Sequence, residues 1–162
     1  VARPPVEHRG DQPLRLRAVD ADDLNVISAV LQDAVVPVSE MSFEAADNRF
    51  VLIAGRFRWE TAPDPSKTAA RASGPGETPY ERVHTAIRFE GVRAVRTLGI
   101  NRRDRSLILN LLSIGSADGA VELVFAGDAA IRLDVESLSC HVEDLGDPWP
   151  TVFRPSHDDG AA

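Results

Sequence analysis

The sequence predicts an α+β domain: a mostly antiparallel sheet of about seven strands, with one amphipathic helix near the N-terminus packed across it. Three observations predict this. The stretch Ala120 to Val142 reads AVELVFAGDAAIRLDVESLSCHV. Val121, Leu123 and Phe125 alternate with Glu122 and Val124, and Ile131, Leu133 and Val135 alternate with Arg132, Asp134 and Glu136. Period-two alternation on both sides of Gly127-Asp128 signals a β-hairpin with one buried face. Second, one convincing helical stripe is present: Leu24, Ile27, Leu31 and Ala34 recur at spacings of three and four. Third, Val51 to Gly55 echoes Leu123 to Gly127, and Ala86 to Glu90 echoes Ala130 to Asp134. The echo suggests two three-stranded meanders plus a first strand, forming two packed sheets or a partly open barrel. Chance likeness between apolar strands is the competing explanation.

Residues 1–13 carry Pro4, Pro5 and Pro13 among charges and read as a disordered lead-in. The single globular domain is expected over residues 14–153. Leu14 to Val19 alternates as a short first strand. Asp20 to Val35 is the helix, with Asp20 as N-cap and Asp22 and Asp23 at the positive end of its dipole. Pro37 prevents its continuation and disfavours helical geometry at Val36. Val38 to Phe43 and Arg49 to Trp59 read as strands around an Ala46-Asp47-Asn48 turn. Apolar side chains on both faces of the second suggest a central strand covered on both sides.

Residues 61–79 change character. Four prolines, two glycines and no large apolar residue describe a flexible insert within a hairpin, unable to bury enough surface to offset its own ordering. Arg82 to Val95 alternates, with a bulge expected at Gly91. Leu107 to Ile114 fits either period; the Asp118-Gly119 turn that follows favours a strand. Leu138, Cys140 and Val142 continue the last strand. From Gly146, prolines at 148, 150 and 155 suggest irregular chain, and residues 154–162 a disordered tail.

The 162 residues carry a net charge of −7 and a pI near 5.0. This argues against non-specific attraction to nucleic acid or an anionic membrane. Lone Cys140 excludes an internal disulfide framework and fits a reducing, cytoplasmic setting. No secretion signal opens the sequence, and no apolar run approaches the ~20 residues of a membrane helix. Arginine outnumbers lysine 17 to 1. Phosphate recognition favours arginine, but the arginines are scattered, and a genome rich in G and C explains the bias.

Several segments resemble a known family. Ser28 to Ala34, Arg56 to Glu60, Val92 to Arg96, Val121 to Gly127, Ala130 to Glu136 and the Asp144-Leu145-Gly146 ending are similar to the bacterial domain of unknown function family numbered 2948. The resemblance covers about Leu14 to Pro155. It brings no activity and no catalytic residue to transfer, and it implies that the insert at Thr61 to Pro79 is dispensable.

Motifs for phosphate-cradling loops, serine hydrolases and zinc sites are absent. No cofactor, metal site or catalytic residue is therefore expected. His84 and His141 lack a recurring ligand spacing. Cys140 and His141 are adjacent on a strand, so their side chains diverge. The arginines from Arg82 to Arg105 face an acidic stretch, Asp118 to Asp147, with eight acids and one arginine; neutralisation across the sheet is the first reading, an anion-binding ridge the second. Trp59, set in Arg56-Phe57-Arg58-Trp59-Glu60, either caps the core or anchors a partner. Asp33, beside Gln32 at the unfavourable end of the helix dipole, calls for a cationic partner. Gln32, Asp33, Arg56 and Trp59 are thus the candidate binding residues. The leading functional expectation is a non-catalytic cytoplasmic binding or regulatory module with an unknown protein partner, without nucleic acid or membrane. The alternative is a small-ligand protein or enzyme whose site is assembled from dispersed groups such as Asp33, Arg56, His84 and Arg88. Oligomeric state stays open.

Overall fold

The structure, a computed structural model, describes residues 12–61 and 80–151. The expectations for the lead-in, the insert and the tail therefore fall outside the described residues, save at their borders. In chain order the elements are β1 (Arg15–Ala18), α1 (Ala21–Val30), β2 (Val35–Pro37), β3 (Met41–Glu44), β4 (Arg49–Phe57), β5 (Tyr80–Glu90), β6 (Val92–Leu98), β7 (Ile108–Ala117), β8 (Ala120–Phe125), β9 (Ala129–Val135) and β10 (Cys140–Thr151). The predicted α+β class holds. The ten strands form one open sheet in the order β1-β10-β5-β4-β2-β7-β8-β9-β6, with β3 also paired to β4. Every pairing is antiparallel.

Two expectations need correction: seven strands become ten, and two packed sheets or a barrel become one open sheet. Each additional strand has a local cause. Val35 to Pro37 leaves the predicted helix and bridges β4 and β7. The segment 82–95 breaks at Gly91, whose φ of 69° turns the chain from β5, between β4 and β10, to β6 beside β9. The predicted last strand breaks after Val135, and β10 pairs with β1 and β5 instead. The two meanders exist as β3-β4-β5 and β7-β8-β9. Their echo does not superpose, however. Leu52 is fully buried, whereas its counterpart Val124 is 37% exposed; a one-residue offset inverts the faces of a strand.

The β7–β8 hairpin closes at Ala117↔Ala120 with Asp118 and Gly119 both at positive φ. That is the two-residue turn whose twist matches the strands it joins. Segment 107–114 is accordingly extended.

Helix α1 begins as predicted. The Asp20 carboxylate accepts from the Asp23 N–H at 2.8 Å, and Asp23 in turn accepts from the Val19 N–H at 3.3 Å. It ends five residues early, at Val30 rather than Val35. Asp33 adopts a left-handed backbone, φ 64°, which Asp tolerates better than most residues. Its N–H then donates to the Leu111 carbonyl at 2.7 Å, and Leu111 N–H to the Ala34 carbonyl at 2.9 Å. The backbone hydrogen bonds that would extend the helix go to β7 instead. Leu24, Ile27 and Leu31 nonetheless reach one continuous core with Leu52, Ile87, Phe89, Leu111, Leu123, Phe125 and Ile131. The sheet therefore curls around a single interior. Val51, Ile53 and Gly55 on the outer side of β4 are only half-buried; β4 is central in the sheet, but the described residues do not cover both its faces.

Candidate functional site

The half-covered outer face of β10-β5-β4-β2 carries a groove of about 660 Å³. Its walls are mainly apolar: Val35, Pro37, Ile53, Leu145 and Trp149, with Arg82, His84 and Glu40 as the charged or polar side chains. Strand alternation places these groups. On β5, Val83 and Thr85 point inward and are buried, so Arg82 and His84 point outward. On β4, Ile53 and Gly55 share that outward face.

Trp149 reaches the groove through an irregularity. Between Leu145 and Trp149 strand β10 shifts register against His84 and Arg82, with Gly146 at φ 67°. Four steps along β10 span two along β5, so two extra residues bulge out and the indole is re-aimed. It packs against His84, ring centroids 4.5 Å apart and planes tilted by 44°. It also lies over Gly55, where an added Cβ would meet the indole at 3.5 Å. Arg82 is held by its backbone neighbours: Nη1 donates to the Gly55 carbonyl at 2.9 Å and the Asp33 carbonyl at 3.4 Å. Its guanidinium lies 5.9 Å from the centroid of the Phe57 ring. Among the described residues no carboxylate forms an ion pair with it. Burial lowers the Arg82 pKa, and the negative charge of Asp33 only partly offsets this.

A second polar cluster lies on the opposite side of β4. Arg56 is fully buried. Its Nε and Nη2 grip Asp144 at 2.8 and 2.7 Å, while Nη1 and Nη2 reach Glu60 at 3.0 and 2.6 Å. Asp144 also accepts from Thr85 Oγ1 and the Leu14 N–H, each at 2.9 Å. Burial, the largest single influence, would raise the Asp144 carboxyl, but the hydrogen bonds from Arg56, the Leu14 N–H and Thr85, with the Arg56 charge, together outweigh it and hold the group below its ordinary value. Glu60 is lowered against the same desolvation by the same guanidinium. The cluster joins β1, β4, β5 and β10, and it is saturated by its own members.

The four sequence candidates scatter. Arg56 faces inward in this cluster. Trp59 leaves the strand, which ends at Phe57 rather than Trp59, and sits half-buried in a short 3₁₀ turn, edge-on to Phe57 at 4.5 Å. Asp33 approaches the groove through its carbonyl and its charge on Arg82. Gln32 occupies the turn after α1, its N–H donating to Ala29 at 3.4 Å, and does not line the groove. Nor does the dispersed set Asp33, Arg56, His84 and Arg88 converge: Arg56 lies inside, and Arg88 pairs with Glu90 at 2.8 Å farther along β5. Cys140 is buried while its neighbour His141 faces outward opposite Arg17 and Arg88. Of the arginines from Arg82 to Arg105, Arg93 and Arg96 meet Glu136 and Asp134 across the sheet, while Arg88 pairs with Glu90; Arg132 meets Glu122 within the acidic stretch.

Sequence alone assigns no functional role to Trp149 or to Gly55, which it marks only as a kink or bulge in its strand. The available signal was an aromatic residue placed one after Pro148 and one before Pro150. Prolines are tolerated where strand β10 has passed the end of β1 and, among the described residues, pairs on one side only.

No curated protein and no solved structure matches the chain. A family profile described as "Protein of unknown function (DUF2948)" matches residues 14–157, which takes in every strand, the helix, the groove and the buried cluster. The chain thus belongs to the DUF2948 family.

Proposed function

We propose that this protein is a non-catalytic binding module that takes a small molecule into the groove between β10, β5, β4 and β2. The groove carries the reading: about 660 Å³ lies within the range of small-molecule sites, and an apolar lining with a few fixed polar groups is their usual composition. An indole over a glycine offers a flat wall, and Arg82 offers a positioned donor. Catalysis asks more than this lining supplies. Glu40 and His84 are the side chains there able to exchange a proton, and Glu40 is exposed. A cytoplasmic setting belongs to the same proposal; it is supported by a single cysteine that is buried.

A fragment screen observed by amide and indole NMR tests the reading. Hits are expected to shift Ile53, Gly55, Arg82, His84 and the Trp149 indole together. Trp149→Ala should lose most hits while the fold, monitored by amide dispersion, persists. Hits that cluster elsewhere, or that survive Trp149→Ala unchanged, would overturn it.

A further inference from the structure

We infer that the ligand of this groove is an anion with a flat apolar body, its charged end on Arg82 and its rings against Trp149. The inference rests on the groove being a binding site and adds the class of molecule it takes.

Four observations support it. Arg82 is oriented before any ligand arrives, because Nη1 is fixed by the Gly55 and Asp33 carbonyls. Neither Nε nor Nη2 donates to a described residue, so one edge of the fork remains for a carboxylate, sulfonate or phosphate oxygen. The guanidinium is partly buried, and among the described residues no carboxylate is in ion-pair reach; Asp33 acts on it through its charge. A desolvated cation of this kind gains more from an incoming anion than an arginine already paired, such as Arg56. Finally, the Trp149 ring covers Gly55 beside His84, a surface suited to stacking. Glu40 is the one acid among the described lining residues. It is exposed and disfavours a second negative charge away from Arg82.

Two fluorescent probes with similar rings separate the charge from the greasy body. 8-Anilinonaphthalene-1-sulfonate carries a sulfonate; N-phenyl-1-naphthylamine carries no charge. Wild-type protein should bind the sulfonate at least tenfold more tightly. Arg82→Gln should bring the sulfonate down to the level of the neutral probe and leave the neutral probe unchanged, while Arg82→Lys keeps part of the preference. Gly55→Leu, which fills the space beneath the indole, should weaken both. Each variant is checked for a cooperative thermal transition, and Arg82→Lys carries the comparison if Arg82→Gln does not fold. Equal binding of the two probes, both sensitive to Gly55→Leu and neither to Arg82 substitution, would overturn the anion assignment and leave the groove as a binding site. Binding insensitive to Gly55→Leu would overturn both.

Discussion

Arg56 shows how one residue can carry a functional look and a structural role at once. An arginine in a dense aromatic and charged cluster invites a ligand. Its three-sided grip on Asp144, Glu60 and the Phe57 carbonyl leaves it no capacity for one. Removing one partner strands a buried charge, which typically costs about 3–5 kcal/mol. Asp144→Ala should therefore destabilise by roughly that amount in urea unfolding at neutral pH, more than any substitution among the exposed pairs at Arg93, Arg96 or Arg132, where each interaction is worth about 0.2–1 kcal/mol. The same pair sets an acid limit. The Asp144 carboxyl is held below its unfolded value, so its contribution is whole above the ordinary carboxyl range, about pH 4, and is lost as pH falls through the lowered native value. Wild type should lose stability steeply on acidification below that range, whereas Asp144→Asn, already weakened, should lose less. Parallel curves for the two proteins would refute the assignment. Cys140 makes a simpler case. Burial pushes its thiol up to about 12, and the side chain is fully buried. Labelling by a disulfide reagent at pH 8 should be slow and should track unfolding; rapid labelling of native protein would show the β10 core to be open.

At the scale of elements, what the sequence revealed were the local contacts. Asp20 before a run of helical spacing, and Asp118-Gly119 between alternating segments, each announce geometry that a few neighbouring residues settle. Asp20→Ala should cost about 1 kcal/mol through the lost cap. Gly119→Val should cost at least as much, because its φ of 75° is strained for a β-branched side chain. Both read out as lowered thermal midpoints without change of fold; a midpoint unchanged in Asp20→Ala would mean that water replaces the cap. What the sequence hid were choices between distant partners. The turn at Asp33 wins over helix continuation because β7 supplies the Leu111 carbonyl, 78 residues away in sequence (111 − 33). The break at Gly91 and the bulge before Trp149 are likewise decided by which strand lies alongside. The groove was illegible for this reason: Gly55, Arg82 and Trp149 come from three segments, and no spacing in the sequence connects them.

For the whole molecule, strand order is the governing fact. The α+β class was legible because it depends on period, and the family resemblance because particular segments such as Arg56 to Glu60 carry it, but the order of strands was not. The interior position of β5 and β10 predicts the most protected amides in hydrogen exchange along Val83–Phe89 and Cys140–Asp144. The least protected strand amides should lie along β6, whose outer edge, like that of β1, has no strand partner among the described residues. Protection of β6 equal to that of β5 in dilute protein would indicate a second strand pairing there, and with it self-association. Arg93 and Arg96 on that edge strand work against such pairing.

Strand β10 lies between β1 and β5, so among the described residues the ribbon latest in sequence joins the first to the middle. A growing polypeptide leaving the ribosome can zip its second meander, β7-β8-β9, as soon as those residues emerge. It cannot seat its first strand, and Arg56 waits 88 residues for Asp144. The emergence of β10 is then the moment at which this half of the protein locks, and the interval before it is when chaperone capture would matter most.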